Sequence, residues 1–357
     1  MPTSTVSSDA DLSAVLADQV RTAASDGEAL RITGGDTKAF YGRRTQARTL
    51  SIAGHRGVIA YEPSELVITA RGGTPLAEIE TLLYAHGQKL AFEPPSFGLA
   101  STIGGVVAAG LSGPARPFAG AVRDFVLGVT ILDGRGGSLR MGGTVFKNVA
   151  GFDAFRLMAG ALGCLGVLLD VSLRVTPRPR ARAWLSLDED WPSAQDRITA
   201  LMRRAIPLSG AFHDDGRLHL RLSGAEAAVM ALRRELGGEA GREAAWAEVR
   251  NMTHPLLAAP RLWRLSVPQR SRVSHLAGRW LRDWGGAQCW LTTDEPAENV
   301  RAAAAAAGGH ATLFRGAKNG ESVFTDLAQP LKELHGRLKR AFDPEGIFNP
   351  GRMYEGL

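Results

Sequence analysis

The sequence predicts an α+β protein of two modules. The first is a glycine-dense, β-rich α/β unit ending near residue 177, and the second an antiparallel sheet with helices on one face. Three observations predict this. Sixteen of the 42 glycines fall between Gly98 and Gly166, interleaved with Val, Ile, Leu and Phe, so they belong to short strands and tight turns and not to a linker. All seven tryptophans lie from Trp184 onward, where that glycine density ends. Between the two compositions the run PRPRAR (177–182) halts an alternating stretch. A length of 357 residues suits two domains at ~150 residues each.

Each element has its own signal. Residues 9–24 carry helical apolar spacing (Leu12, Val15, Leu16, Val20), and 29–33 form a strand that runs into GGDTK. Strands at 49–52, 58–61 and 66–70 lead to a helix over 75–86, entered through Gly72, Gly73 and Thr74. Residues 89–92 read as a strand before the rigid Pro94–Pro95 pair, and 126–132 with 138–141 as a hairpin around DGRGG. Residues 153–161 read as a helix and 167–176 as an alternating strand. In the second module 210–222 is a hairpin turning at DDGR, 225–235 a helix, 310–314 a strand and 326–342 the last helix, stopped by Pro344 and Pro350.

Composition narrows the function. A hydrophobic share of 45%, 22% charged residues and a mean hydropathy of −0.06 describe a packed globular chain and exclude disorder. The longest nearly apolar runs, 100–113 and 157–169, fall short of the ~20 residues of a membrane span. The N-terminus has neither a basic leader nor an apolar core, so the cytoplasm is the expected compartment. The net charge of +6 is dispersed, which argues against a nucleic-acid surface. Cys164 and Cys289 have no Cys or His neighbours at ligand spacing and read as buried thiols. Lysine is rare here, with six among 42 basic residues, yet Lys38 and Lys147 both stand in glycine loops.

Three such loops carry the chemistry. In ITGGDTK (32–38), a strand ending in two glycines lets successive N–H groups point into one concavity, a nest for phosphate oxygens to which Lys38 adds a charge. An ordinary turn with an exposed lysine fits the same residues. In PSFGLASTIGGVVAAGLSG (95–113), Thr102 caps or enters a segment beginning with Gly104 and Gly105, offering N–H groups to an anion or a flat heterocycle, or else permitting close helix packing. The third, 142–167, sets Lys147, Asn148 and Asp153 beside glycine turns and ends in GxxGxxG at Gly160, Gly163 and Gly166. None is a Walker or Rossmann motif. Together they suit a long, phosphate-containing ligand with a broad planar part, and FAD is such a ligand. Lys147 is then a candidate for the cation that favours flavin reduction.

These segments, with FDPEGIFNPGR (342–352), resemble the FAD-binding type shared by vanillyl-alcohol oxidase and p-cresol methylhydroxylase. GPARPFAGAVRDFVLG, KNVAGFD and the short length most resemble the E-subunit family of glycolate oxidase (glycolate dehydrogenase). The resemblance implies a two-subdomain FAD domain over 1–177, an antiparallel-sheet cap over 178–317, and a segment, 318–357, that returns to the FAD domain. It implies diphosphate contacts from Gly34, Gly35, Asp36, Thr37 and Lys38. Ser101, Thr102, Gly104 and Gly105 would contact diphosphate and flavin, and Gly163, Gly166 and Val167 the adenine and ribose side. The implied activity is oxidation of glycolate or another 2-hydroxy acid. The implied partners are a larger FAD-containing catalytic subunit and an iron–sulfur subunit, through which the chain would reach the inner face of a membrane. A flavin-holding electron-transfer module without its own substrate site, and an autonomous dehydrogenase, are the alternatives.

The chain departs from the family pattern in places. Phe152 replaces a common tyrosine, and AGALGC stands where larger catalytic relatives carry SEGTLG with its carboxylate. Neither of the first two loops contains a histidine, so the expected FAD is non-covalent. AFHDDGRLHLRL holds His213 and His219 one residue closer than the metal-binding segment of related dehydrogenases, and on a hairpin such a pair also simply flanks the turn. No metal ligands and no catalytic base are assigned.

Overall fold

The computed structural model describes residues 10–144, 152–271, 273, 276–318 and 320–357. Helix Ser13–Asp26 buries Leu16, Val20 and Ala23 against a parallel pair of strands, Leu30–Thr33 and Arg48–Ser51. A five-stranded antiparallel sheet follows, in the order Val58–Glu62, Val67–Arg71, Val167–Arg174, Val126–Leu132, Ser138–Gly142. Two of its three inner strands are the aliphatic runs VLLDVSLR and VLGVTIL, mostly buried, whereas the edge strand SLRMG is mostly exposed. Helices Leu76–Ala85 and Ile103–Ala109 close this core through Ile79, Leu83, Val106 and Val107.

The second sheet draws all eight strands from residues 181 to 315. Their order is Glu239–Ala240, Ala181–Asp188, Arg217–Gly224, Leu208–Asp214, Arg279–Asp283, Gln288–Thr292, Leu262–Ser266, His310–Arg315. One face is covered by helices Trp191–Met202, Glu226–Leu236 and Ala297–Ala306, through Ile198, Val229 and Val300. The other face carries Phe212, Leu281, Trp290 and Phe314 and packs on Tyr41, Leu111 and Leu162 of the first module. Helix Glu243–Arg250 also sits on this second face, through Trp246 and Val249, so the helices are not confined to one side.

The C-terminal segment binds back to the first strand. Leu30 N–H donates to Ile347 O at 2.7 Å and Asn349 N–H to Leu30 O at 2.8 Å. Lys339, buried, donates to Cys164 O, Phe348 O and the Asp343 carboxylate.

Three elements differ from the pattern-based expectation. The stretch 153–161 is only a 3₁₀ turn, Ala154–Met158, because Gly160, Leu162 and Gly163 take positive φ and bend the chain away from a helix. The expected strand at 89–92 shortens to Gln88–Lys89, since Glu93 at φ +48° begins a turn. The last helix starts at Gln329, with Pro330 in its first turn.

Candidate functional site

Strand Leu30–Thr33 ends at the first glycine loop, where Asp36 adopts φ +52°, the left-handed half of an anion-binding nest. Among the described residues, no acceptor is bonded by the N–H groups of Gly34, Gly35, Asp36, Thr37 or Lys38. Five consecutive free donors border a cavity of about 490 Å³, lined also by Thr102, Gly105, Leu162 and Arg352. Mostly half-buried at the cavity rim, these donors are open to an acceptor from outside the chain, either water or an anion that replaces it.

Its charge points the same way. Lys38 Nζ donates to Ser101 Oγ at 2.9 Å and lies 5.6 Å from the centre of the Phe97 ring. Burial pulls its ammonium down to about 8. Arg352, also pulled down by burial, donates to Lys38 O and Tyr41 O. Neither cation has a carboxylate partner within salt-bridge distance among the described residues, whereas Asp36 is paired with Arg31 at 2.9 Å. Two largely buried, uncompensated cations beside five free N–H groups match a diphosphate in charge and in donor number.

The second loop contributes shape more than donors. Thr102 caps helix Ile103–Ala109, its Oγ1 accepting from Gly105 N–H at 3.3 Å, and Gly104 N–H is bonded to Gly72 O at 2.8 Å. The N–H groups of Gly104 and Gly105, expected to be free, are therefore already satisfied. What the glycines supply is proximity: a Cβ on Gly34 would strike Thr102 Oγ1, and one on Gly35 the Ala100 carbonyl. Ser101 and Thr102 are buried where the two loops meet.

Of the third group, a Cβ on Gly163, which sits at φ +73°, would strike the Asn349 side chain, and one on Gly166 the Leu132 carbonyl. The Val167 side chain is fully buried in the core with Leu30 and Leu50. None of these three lines the cavity; their neighbour Leu162 does. Lys147 and Asn148 lie outside the described residues.

Two residues escaped sequence reasoning. Arg352 is the last residue of the quoted NPGR segment, and its position after a glycine turn was the available signal. Asn349 accepts from Ile32 N–H at 3.0 Å and donates to Leu162 O at 2.7 Å, tying the approaches to both cavity walls together.

The histidine pair is engaged elsewhere. His213 Nε2 meets Glu189 O at 2.9 Å, while His219 and His254 both flank the Asp214 carboxylate, at 2.9 and 3.0 Å. Among the described residues no three His, Cys, Asp or Glu side chains converge on a metal-sized site. Both cysteines are buried free thiols, Cys289 being pushed up to about 12 by burial. No helix among the described residues is long and apolar enough to cross a membrane.

Residues 6–142 match the FAD binding domain family. The chain is 46% identical over 348 residues to glycolate oxidase subunit GlcE of Escherichia coli (strain K12), covering 97% of this chain and 99% of that protein. It is 27% identical over 159 residues to glycolate oxidase subunit GlcD of Bacillus subtilis (strain 168), covering 44% of this chain and 34% of that one. Alkyldihydroxyacetonephosphate synthase shares the fold at a TM-score of 0.64 and 17% identity, over 94% of this chain and 74% of its own. With a nest suited to a diphosphate, the FAD-domain match and near full-length identity to a glycolate oxidase subunit, the chain belongs to the FAD-binding oxidoreductase family of glycolate oxidase subunit GlcE.

Proposed function

We propose that this chain is the FAD-holding subunit of a complex that oxidises glycolate or a similar 2-hydroxy acid to the 2-oxo acid. Electrons leave through a larger FAD-containing subunit and an iron–sulfur subunit. The observation that carries the reading is the row of five N–H groups without an acceptor among the described residues, beside Lys38 and Arg352, two cations that have no carboxylate within salt-bridge distance among those residues. Bound FAD supplies a two-electron acceptor for the substrate's C–H electron pair. The protein's part is to hold the diphosphate with Gly34, Gly35, Asp36, Thr37 and Lys38, to keep Ser101 and Thr102 against that loop, and to exclude water. Gly104 and Gly105 let the second loop approach; Gly163, Gly166 and Val167 act behind the wall that Leu162 presents.

The proposed division into 1–177, 178–317 and 318–357 is supported by the confinement of the large sheet to 181–315 and by the pairing of Phe348 with Leu30. The deciding experiment is anaerobic reduction of the FAD-loaded chain by glycolate, alone and with the two partner subunits. Bleaching only with partners supports the complex, and bleaching alone an autonomous dehydrogenase. No bleaching in either, with FAD bound, removes the 2-hydroxy-acid reading.

A further inference from the structure

A second, small cavity lies at the seam between the large sheet and the first module. Its wall on one side is the 95–114 loop, including Phe97 and Gly113, and on the other the sheet residues Arg264, Asp283, Gln288 and Trp290. Phe97 is shared with the first site, since Lys38 Nζ, which borders the diphosphate cavity, lies over its ring.

Register places the polar groups on one face. Arg264 pairs with Trp290 and Asp283 with Gln288, while Gln288 and Trp290 are two apart on the strand between them. Cross-strand partners and residues two apart point to the same side, so all four face the seam. Two strand spacings of ~4.8 Å and a two-residue offset separate the backbones of Arg264 and Asp283, and among the described residues no side chain–side chain bond joins the two.

Both charged groups are unusually free. Arg264 has no carboxylate within salt-bridge distance among the described residues, and its bond is to the Tyr41 hydroxyl at 3.4 Å. The other arginine lining the cavity, Arg250, is engaged by Glu80 and by Pro94 O. Asp283 is 2% exposed; its Oδ1 accepts the Trp284 N–H at 2.7 Å, and among the described residues no donor reaches Oδ2. Burial, with the Glu93 charge adding to it, pushes this carboxyl up to about 7, while the Trp284 N–H and Arg221 oppose the rise. The turn behind it is held in an uncommon conformation. Trp284 sits at φ +55°, its indole N–H donating to Gly113 O at 3.0 Å and its ring covered by Arg116 at 4.3 Å. A buried carboxyl with no ion-pair partner within salt-bridge distance among the described residues, on a turn with a positive-φ tryptophan, is a costly arrangement for a merely structural residue.

We infer that this seam cavity receives the 2-hydroxy acid, with Arg264 pairing the substrate carboxylate and Asp283 accepting the hydroxyl proton. This rests on the proposed function. In the step, the O–H bond breaks with its proton passing to Asp283, and the C–H bond breaks with its hydrogen leaving as hydride, which FAD, when bound, would accept. The C–O bond becomes C=O, and Asp283 returns its proton to water. Phe97, Trp290 and Phe314 exclude bulk water from the cavity.

The test uses the FAD-loaded full chain and oxalate, a non-oxidisable dicarboxylate, with perturbation of the flavin spectrum as the binding readout. Arg264→Met is expected to weaken oxalate at least tenfold with the FAD dissociation constant unchanged, and Arg264→Lys to recover part of that loss. Asp283→Asn keeps an acceptor for the Trp284 N–H, so the turn is retained. It is expected to abolish the pH dependence of oxalate binding around neutrality and, in the assembled complex, to slow glycolate oxidation at least a hundredfold. Oxalate binding that is absent in the FAD-loaded chain, or equal in wild type and Arg264→Met, overturns the site. Glycolate oxidation by the complex that is indifferent to both substitutions also overturns it while leaving the proposed function standing. A wild-type complex inert to glycolate removes that function, and the oxalate titration still decides the cavity.

Discussion

Lys38 concentrates the binding problem of the first cavity in one side chain. Burial lowers its ammonium to about 8 from an ordinary 10.5, and a bound diphosphate, by supplying the missing counter-charge, raises it again. The complex therefore binds more protons than the free protein above pH 8, and FAD affinity falls as pH rises through that value, by up to ~tenfold per pH unit. Fluorescence titrations with FAD from pH 7 to 9.5 should show this slope in wild type. Lys38→Met should bind at least tenfold more weakly at pH 7 with the slope gone. Asp283 has the same pH sense, but in folding. Its folded value, about 7, exceeds the ordinary 3.8, so the native state binds the extra proton and its favourable contribution is lost as pH rises from about 4 to 7. One pKa unit being ~1.4 kcal/mol, the melting temperature of Asp283→Asn should exceed that of wild type by several degrees at pH 8 and not at pH 4. Lys38 was legible in the sequence because its neighbours announce it: two glycines after a strand are a local signal. Asp283 was not, because nothing local in RDWGG marks its carboxyl as buried, and the docking of the Trp284 indole on Gly113 O is a contact between distant segments.

At the scale of elements, the site is a contact between two loops that glycine makes possible. Helix Ile103–Ala109 has only seven residues, so its Thr102 cap matters more than it would in a longer helix. Thr102→Ala should cost ~1 kcal/mol, read as a lower melting temperature, with weaker FAD binding because the same hydroxyl stands at the cavity wall. Gly35→Val is the harsher change. Its side chain has no room beside the Ala100 carbonyl, a backbone atom that cannot rotate away, so the loops must part. FAD titration should then find little or no binding; retained affinity would remove this loop from the site. The glycine spacing in the sequence exposed both loops, but it could not tell which glycines donate and which merely make room. That distinction depends on partners such as Gly72 O, about thirty residues away along the chain.

Over the whole molecule, Asn349 links the C-terminal segment to the first strand and to Leu162, three stretches far apart in sequence. Asn349→Ala leaves the Ile32 N–H and the Leu162 carbonyl without these partners and should cost ~2–4 kcal/mol. Thermal unfolding and FAD titration should both report it, since Ile32 and Leu162 line the cavity. What the sequence by itself determined was the α+β class, the change of composition near residue 177 and the first glycine loop with Lys38. Each is written in neighbouring residues, through hydrophobic period or the steric freedom of glycine. Only the tertiary structure decided that 153–161 is not a helix, that five unforeseen strands complete the large sheet, that Arg352 reaches Lys38 and that Asn349 reaches Ile32. The same holds for Arg264 and Asp283 meeting at the seam. The reason is physical: burial and charge pairing belong to contacts between distant segments, and no local pattern records whether a charged residue will find a partner once the chain has closed around it.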